Sequence, residues 1–182
     1  YEVLDNQTLL FKVKQRQNIE DFPIYKIPTQ VLIWSGDEII INDIVIDELE
    51  QEFELSYSGD IHNIQIDPKQ DLLAKIYEEK SAVQFRHQFY NSKAYKSRLV
   101  GLRRASKSNT LATQSLLSVA LDDPFWNIRI EAASIAYRLG CSDNEEIAKK
   151  MLSLAKNDSI SKVRAEMIQM LDECGEEEAT LL

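Results

Sequence analysis

The residues best suited to chemistry in this sequence are two histidines, two cysteines and many carboxylates. A zinc peptidase site of the His-Glu-x-x-His type needs two imidazoles on one helix face and a glutamate that activates water. His62 falls in or beside a predicted strand and His87 in a predicted helix, so they cannot form that motif. Cys141 and Cys174 have no histidine close in sequence, and each falls where a helical repeat ends.

Other catalytic signatures are also missing from the sequence. It has no glycine-rich phosphate loop and no Gly-x-Ser-x-Gly turn. The acidic residues fit solvated positions, namely a terminal run (Glu176, Glu177, Glu178) and one alternating strand face (Glu48, Glu50, Glu52, Glu54). The aromatic group Phe85, Phe89, Tyr90 and Tyr95 fits core packing better than a cofactor site. We therefore expect no catalytic, cofactor-binding or metal-binding residue in this chain.

The composition narrows the classes of partner. A formal charge of −9 argues against nucleic acid, whose phosphates need a basic face. The densest basic stretch, residues 93–107, fits a solvated helix face that docks on an acidic surface elsewhere in a parent protein. No apolar run reaches the roughly 18 residues of a membrane span, and the composition indicates no compartment. The two cysteines fit free thiols better than a disulfide, and an opening without methionine suggests a piece of a longer protein.

Residues 1–67 have the pattern of strands. Apolar and polar residues alternate over residues 8–15, 24–34, 38–43, 52–57 and 63–67, with polar turns at residues 35–37 and 58–60. Pro28 interrupts the second run, which predicts an edge or bulge position there. Five short strands at this spacing predict a small antiparallel β-sandwich.

The period changes to that of a helix at Asp67-Pro68. An aspartate before a proline fits a helix N-cap followed by the first helical residue. Leu72, Leu73, Ile76 and Tyr77 then continue with helical spacing. We therefore predict two domains, an antiparallel β-sandwich over residues 1–67 and a helical array over residues 68–182.

The helical half contains an internal repeat. Residues 123–140 align without a gap with residues 158–175, at an offset of 35, and a weaker copy begins at residue 94. Asp123 and Asp158 are expected to cap the following helices, while Ile128 and Val163 begin buried stripes. Small residues (Ala132, Ala133, Ala136) allow close helix packing, and glycines (Gly140, Gly175) end the helices. This is similar to the HEAT pattern, in which arginines such as Arg129 and Arg164 bond to neighbouring loop aspartates.

Three stretches resemble the C-terminal region of the aminopeptidase N family of zinc metallopeptidases. Residues 13–17 (VKQRQ) with 22–28 (FPIYKIP) resemble the first sandwich strands of that family. Residues 64–76 (IQIDPKQDLLAKI) resemble the strand and Asp-Pro turn that close the sandwich, and residues 121–133 (LDDPFWNIRIEAA) resemble a helical repeat. The fold class implied is multidomain, β then α: a small antiparallel sandwich followed by an α-α superhelix of HEAT-like hairpins.

The resemblance implies a non-catalytic C-terminal part of a zinc-dependent aminopeptidase, which removes N-terminal residues from peptides. The zinc, its His-Glu-x-x-His helix and the Gly-x-Met-Glu-Asn motif would belong to a catalytic domain before Tyr1, so this chain alone is expected to have no activity. Its partners would be that catalytic domain and, indirectly, the peptide substrate, with no nucleic acid and no membrane. The alternative is a HEAT-type interaction scaffold related to the family but without peptidase activity.

Overall fold

The computed structural model describes residues 1–4, 7–140 and 144–173; both cysteines, Gly175 and the terminal glutamate run lie outside this part. The chain divides into two compact units, Tyr1–Glu79 and Lys80–Leu182. In the described residues, strands occupy the first unit and helices the second. The order of strands before helices, predicted from the change of period, is confirmed.

The first unit contains two three-stranded antiparallel sheets. The strands in chain order are β1 (Glu2–Val3), β2 (Thr8–Lys14), β3 (Ile27–Ser35), β4 (Glu38–Ile46), β5 (Glu50–Ser56) and β6 (Ile61–Ile66). One sheet has the order β1-β2-β5 and the other the order β4-β3-β6. The short β1 was not expected from the sequence, and β4 continues past the predicted limit at residue 43 to Ile46.

Apolar residues of both sheets form one core. Alternation along β5 buries Leu55 while Glu50, Glu52 and Glu54 remain exposed, as the period of two requires. The strands of the two sheets contribute seven buried aliphatic side chains to this core: Leu9, Val31, Ile33, Ile44, Ile46, Leu55 and Ile64. For β5, the alternation in sequence therefore identified the buried face.

Pro28 lies in β3, the central strand of its sheet, and not on an edge strand. It pairs with Val45 of β4, while the pairing of β3 with β6 begins only at Val31. Because β6 does not reach position 28, Pro28 need not donate a hydrogen bond on that side of β3. Locally it is in the situation of a residue on an edge strand, as the sequence predicted. The strand prediction over residues 24–26 is wrong, because β3 begins at Ile27.

The helix predicted after Asp67-Pro68 is wrong. Asp67 has a φ of 48°, in the left-handed region, and residues 68–79 contain no helix. The Asp67 carboxylate is buried and accepts hydrogen bonds from the backbone N–H groups of Asp71 at 2.9 Å and Leu72 at 3.1 Å. The aspartate therefore organises a loop, since its short side chain can satisfy local backbone donors without a helix.

Helices begin in the second unit. They are α1 (Ala82–Asn91), α2 (Tyr95–Ala105), α3 (Leu111–Ala120), α4 (Trp126–Arg138), α5 (Glu145–Asn157) and α6 (Ser161–Glu173). Ser81 and Gln84 form a capping box at the start of α1, and Thr110 and Asn144 cap α3 and α5. After α4, Gly140 has a φ of 90°, as predicted for a residue that ends a helix. No helix in the described residues is long and apolar enough to cross a membrane.

The helices pack both within and between successive pairs. α1 packs on α2, α3 on α4 and α5 on α6; between pairs, α2 contacts α4, α4 contacts α6, and α3 contacts α5. Ile128 and Val163 are fully buried at equivalent positions of the repeat, as the sequence predicted. The small residues of α4 are buried in the same core: Ala132, Ala133 and Ala136.

One glycine sets the distance between the first two helices. A Cβ atom on Gly101 of α2 would lie 2.8 Å from the carbonyl oxygen of Phe85 and 2.8 Å from the backbone nitrogen of Phe89, both on α1. Such contacts are shorter than van der Waals packing allows. The glycine within α2 is therefore explained by close helix approach.

Candidate functional site

Within the part of the chain that the structure describes, the histidines are not brought together with other residues of catalytic potential. His62 lies exposed on β6 in the first unit, and His87 lies on α1 in the second. Within the described ranges, no group of three His, Cys, Asp or Glu side chains could hold a metal ion. The feature with the most definite geometry is instead a series of arginine–aspartate contacts between helix pairs, which we call the arginine ladder (Arg98, Asp123, Arg129, Asp158 and Arg164).

The first contact of the arginine ladder joins α2 to the turn before α4. Arg98 Nε lies 3.1 Å from Asp123 Oδ2, and Arg98 Nη2 lies 3.2 Å from Asp123 Oδ1. The carboxylate is buried and the guanidinium largely so. The planar guanidinium thus binds both oxygens of the carboxylate, which fixes direction as well as distance.

The second contact repeats this geometry one helix pair later. Arg129 Nε lies 2.7 Å from Asp158 Oδ2, and Arg129 Nη2 lies 2.8 Å from Asp158 Oδ1. The side chains of Arg129 and Asp158 are only 11% and 3% exposed. The prediction that Arg129 bonds to a neighbouring loop aspartate is confirmed, and the equivalence of the two contacts shows that the sequence repeat is also a repeat of structure.

The third nitrogen of each arginine binds a backbone carbonyl just before its own helix. Arg98 Nη1 donates to the carbonyl of Lys93 at 2.7 Å, and Arg129 Nη1 to that of Asp123 at 2.8 Å. Arg164 Nη1 donates in the same way to the carbonyl of Asp158 at 2.7 Å. Each guanidinium therefore ties the start of its own helix, and the first two also tie the next helix pair.

The prediction that Asp123 and Asp158 are the N-cap residues of α4 and α6 is wrong, because both lie before the N-cap positions. The N-cap of α4 is Phe125, whose side chain cannot cap, and α6 begins only at Ser161. Asp123 Oδ1 accepts from the N–H of Phe125 at 2.8 Å, and Asp158 Oδ1 from the N–H of Ile160 at 2.8 Å. The aspartates thus organise the turn before each helix, because the same carboxylate must also face the arginine of the preceding pair.

The charge on Asp158 is stabilised despite its burial. Burial alone raises the pKa of this carboxyl, but hydrogen bonds from the Arg129 guanidinium and the Ile160 N–H outweigh burial and hold the pKa below its ordinary value. Asp158 therefore remains a carboxylate at neutral pH, and the contact with Arg129 is a true ion pair.

A second set of polar contacts joins α3 to α5. Ser118 Oγ donates to Glu146 Oε1 at 2.6 Å, and Lys150 Nζ donates to the carbonyl of Ser118 at 2.9 Å and to Asp122 Oδ2 at 2.5 Å. These contacts span 28 to 32 residues of sequence. The sequence analysis did not identify them, because Ser, Lys and Glu on a helix look like solvated residues until the neighbouring helix is in place.

The aromatic residues separate into two environments. Phe85 and Phe89 are buried as predicted, but Tyr90 is exposed, so the prediction of a common core is wrong for that residue. Tyr95 instead lies against Phe125, with ring centroids 4.2 Å apart, and its hydroxyl is 2.5 Å from Asn127 Nδ2. Tyr95 is therefore a contact between α2 and α4, beside the arginine ladder.

The basic stretch over residues 93–107 is not simply a solvated face. Arg98 belongs to the arginine ladder, and Arg103 Nη2 lies 2.6 Å from Glu131 Oε2 on α4. Arg104 lies over the ring of Phe85 at 5.3 Å. Three of its arginines thus contact other parts of the same unit, while Lys96 and Lys107 are exposed as predicted.

A cleft of about 360 Å³ in the first unit is lined by both polar and apolar residues. Gln30, Asp43, Asp67 and Lys69 are among its lining residues. Asp67 is satisfied by backbone donors, and Asp43 accepts from Gln30 Nε2 at 2.7 Å. These carboxylates already have structural roles, so the cleft carries no evident chemistry.

The chain matches no family model and no curated protein. The site with the most definite geometry, the arginine ladder, positions helices and carries no reacting group.

Proposed function

We propose that this chain is the non-catalytic C-terminal part of a zinc-dependent aminopeptidase related to the aminopeptidase N family. The first unit acts as a β-sandwich spacer, and the second is a HEAT-like helical array that shapes access of peptides to a catalytic domain elsewhere in the parent protein. The zinc and the reacting groups belong to that catalytic domain, and this chain contributes positioning.

The order of the elements supports this proposal. The stretches that resemble the family occur in the order sandwich strands, Asp-Pro turn and helical repeat. Residues 13–17 fall around the end of β2, residues 64–76 follow from the end of β6 into the loop of Asp67, and residues 121–133 include the start of α4. Residues 64–76 resemble the strand and Asp-Pro turn of the family. A loop without a helix after Asp67 is consistent with such a turn.

The observation that carries the proposal is the equivalence of two ion pairs. Arg98 with Asp123 and Arg129 with Asp158 have the same atoms in contact, at sequence separations of 25 and 29. In both cases an arginine of one helix pair binds an aspartate in the turn of the next pair. This repetition supports an array of HEAT-like hairpins. In such arrays each pair contacts mainly its neighbours, and an extended face is left for a binding partner.

The first experiment is to read the coding sequence before Tyr1 for a His-Glu-x-x-His motif followed by a further glutamate. Its presence is expected, and its absence would remove the peptidase proposal. The purified chain itself should release no chromogen from an aminoacyl substrate, with or without added zinc. Turnover that depends on zinc and survives a mock-purification control would contradict a non-catalytic role.

The access role needs a second experiment in the parent protein. Arg129→Gln should loosen the helical unit, and we expect kcat/KM to change for long peptides and to stay unchanged for a single aminoacyl chromogen. Lys149→Gln is a matched control, because Lys149 is exposed and pairs along α5 with Glu145. Equal changes for both substrates in Arg129→Gln would contradict the access role.

The alternative function is a protein-interaction scaffold of the same architecture without peptidase activity. The exposed apolar residues at the helix starts, Phe125 and Ile160, favour this alternative, because they occupy equivalent positions in two repeats. An active metallopeptidase domain in the parent protein would argue against it.

A further inference from the structure

The two sheets of the first unit have four edges, and three of them carry features that hinder pairing with another strand. β1 has only two residues, and β5 carries exposed glutamates at alternate positions. β6 is short, and its register with β3 steps from Asn63 to Ile61, so that His62 forms a bulge. Short length, charge and bulges are the usual protections of sheet edges.

The fourth edge, β4, is protected less, since its charged residues are Glu38 at its first position and Asp43, whose carboxylate accepts a hydrogen bond from Gln30. It is nine residues long, contains no lysine or proline, and pairs with β3 without a register shift. Among the described strands, β3 is its only neighbour. Ile39 and Ile41 on its outer face are 59% and 58% exposed, and Val45 is also exposed. A long and mostly apolar edge without a bulge, a lysine or a proline is a candidate pairing site.

The same residues expose the backbone. The two-residue turn at Gly36 and Asp37 makes Ser35 and Glu38 a hydrogen-bonded pair, and such pairs alternate along an antiparallel ladder. The N–H and C=O groups of Ile39, Ile41, Asp43 and Val45 therefore point away from β3. Pro28 is consistent with this alternation. It lies opposite Val45 in a non-hydrogen-bonded pair, where no N–H is needed to donate to β4.

We propose that β4 pairs antiparallel with β4 of a second copy of this chain, joining two three-stranded sheets into one. Full overlap of the two strands places the two-fold axis at Asn42, the middle residue of Glu38–Ile46. Ile39 then lies opposite Val45 of the second copy, and Ile41 opposite Asp43 of the second copy. The pairing forms about eight backbone hydrogen bonds.

Asn42 favours a second copy over an unrelated strand. Its Nδ2 atom is buried and has no hydrogen-bond partner in the described part of the chain. On the axis, Asn42 faces Asn42 of the second copy in a non-hydrogen-bonded pair, where side chains are closest. Rotation of the amides lets each one find an acceptor in the other, which removes the cost of an unsatisfied donor.

The charges on β4 are compatible with this register. Glu38 lies opposite Ile46 of the second copy, and its carboxylate accepts from Ser58 Oγ at 2.8 Å. Asp43 accepts from Gln30, and no two carboxylates within the strands are opposite. Just beyond the strands, Asp37 approaches Asp47 of the second copy. Repulsion there is screened by salt, so association should strengthen as ionic strength rises.

The experiment is sedimentation equilibrium of the full chain from about 1 to about 200 µM, at low and high salt. We expect the average mass to rise from one chain towards two, and hydrogen exchange to slow with concentration at the amides of Ile39, Ile41, Asp43 and Val45. Exchange at Ile40 should not change. A chain that stays monomeric over this range overturns the proposal. This holds even if the edge amides are protected from exchange, because a segment of the same chain would then cover them.

Two variants test the register. Ile41→Lys should weaken association at least about tenfold, whereas Leu73→Lys, at an apolar and still more exposed position outside the strands, should not. Asn42→Asp puts two carboxylates on the axis, so it should weaken association at pH 7 and recover it near pH 4. Circular dichroism checks that each variant is folded. Association that Ile41→Lys and Asn42→Asp both leave unchanged overturns the proposal.

Discussion

Arg129 and Asp158 form a two-point ion pair across 29 residues of sequence, with N–O distances of 2.7 and 2.8 Å. The pair joins α4 to the turn before α6, and both side chains are largely buried. Breaking a buried pair by removing one partner leaves the other charge without compensation, and this costs more than the pair contributes in net stability. The helical unit should therefore be sensitive to either substitution.

Arg129→Ala should lower the free energy of unfolding by about 3 kcal/mol, because the Asp158 carboxylate remains buried without its cation. Arg129→Lys should recover only part of the loss, since an ammonium cannot bind both oxygens in one plane. Urea unfolding followed by circular dichroism measures both. Lys149→Ala, which removes an exposed pair, should leave stability nearly unchanged. A loss as small for Arg129→Ala as for Lys149→Ala would contradict a structural role for the arginine ladder.

The same pair predicts a pH dependence. The pKa of Asp158 is lower in the folded chain than in the unfolded chain, so its contribution to stability is fully present above the unfolded value of about 3.9. That contribution is lost as the pH falls through the folded pKa. The difference in unfolding free energy between the parent chain and Asp158→Asn should be constant from about pH 5.5 to 7 and shrink below about pH 4. A difference that grew on acidification would reverse the expected sign.

The change from strands to helices could be predicted because each half has its own period of apolar residues. Leu55 alternates with exposed glutamates, and Ile128 and Val163 recur at equivalent positions of a repeat. The loop at Asp67 was misjudged because Asp-Pro fits both a helix start and a left-handed turn. The left-handed φ of Asp67 and the hydrogen bonds from the N–H groups of Asp71 and Leu72 to its carboxylate distinguish the two, and the sequence shows neither.

The arginine ladder could be anticipated in part. The repeat pointed to bonds between Arg129 and loop aspartates, but it did not reveal which helix pair supplies the aspartate. Contacts such as Ser118 with Glu146 had no sequence signal, because they depend on how α3 and α5 pack. The free edge of β4 was equally hidden, since a strand at an edge and a strand inside a sheet can have the same alternation.

Gly101→Ala should destabilise the helical unit even though alanine is the better helix former. The added Cβ would meet backbone atoms of Phe85 and Phe89 at 2.8 Å, and backbone cannot move aside as a flexible side chain can. We expect a net loss of about 2 kcal/mol in urea unfolding, after a helix-propensity gain of about 1 kcal/mol. Ser153→Ala, at an exposed position of α5, is the matched control and should be neutral or slightly stabilising. Equal stability of the two variants would show that α1 and α2 separate without cost.

Asp67→Ala should destabilise the first unit for two reasons that can be separated. Alanine tolerates the φ of 48° poorly, and it leaves the N–H groups of Asp71 and Leu72 without their acceptor. We expect a loss of about 2 kcal/mol, whereas Asp67→Gly removes only the acceptor, because glycine adopts this φ freely, and should lose about 1 kcal/mol. Asp67→Asn keeps an acceptor oxygen and tolerates the left-handed conformation, so it should lose least. If the three variants were equally stable, the carboxylate would not be what holds this loop, and the Asp-Pro turn would be set by Pro68 alone.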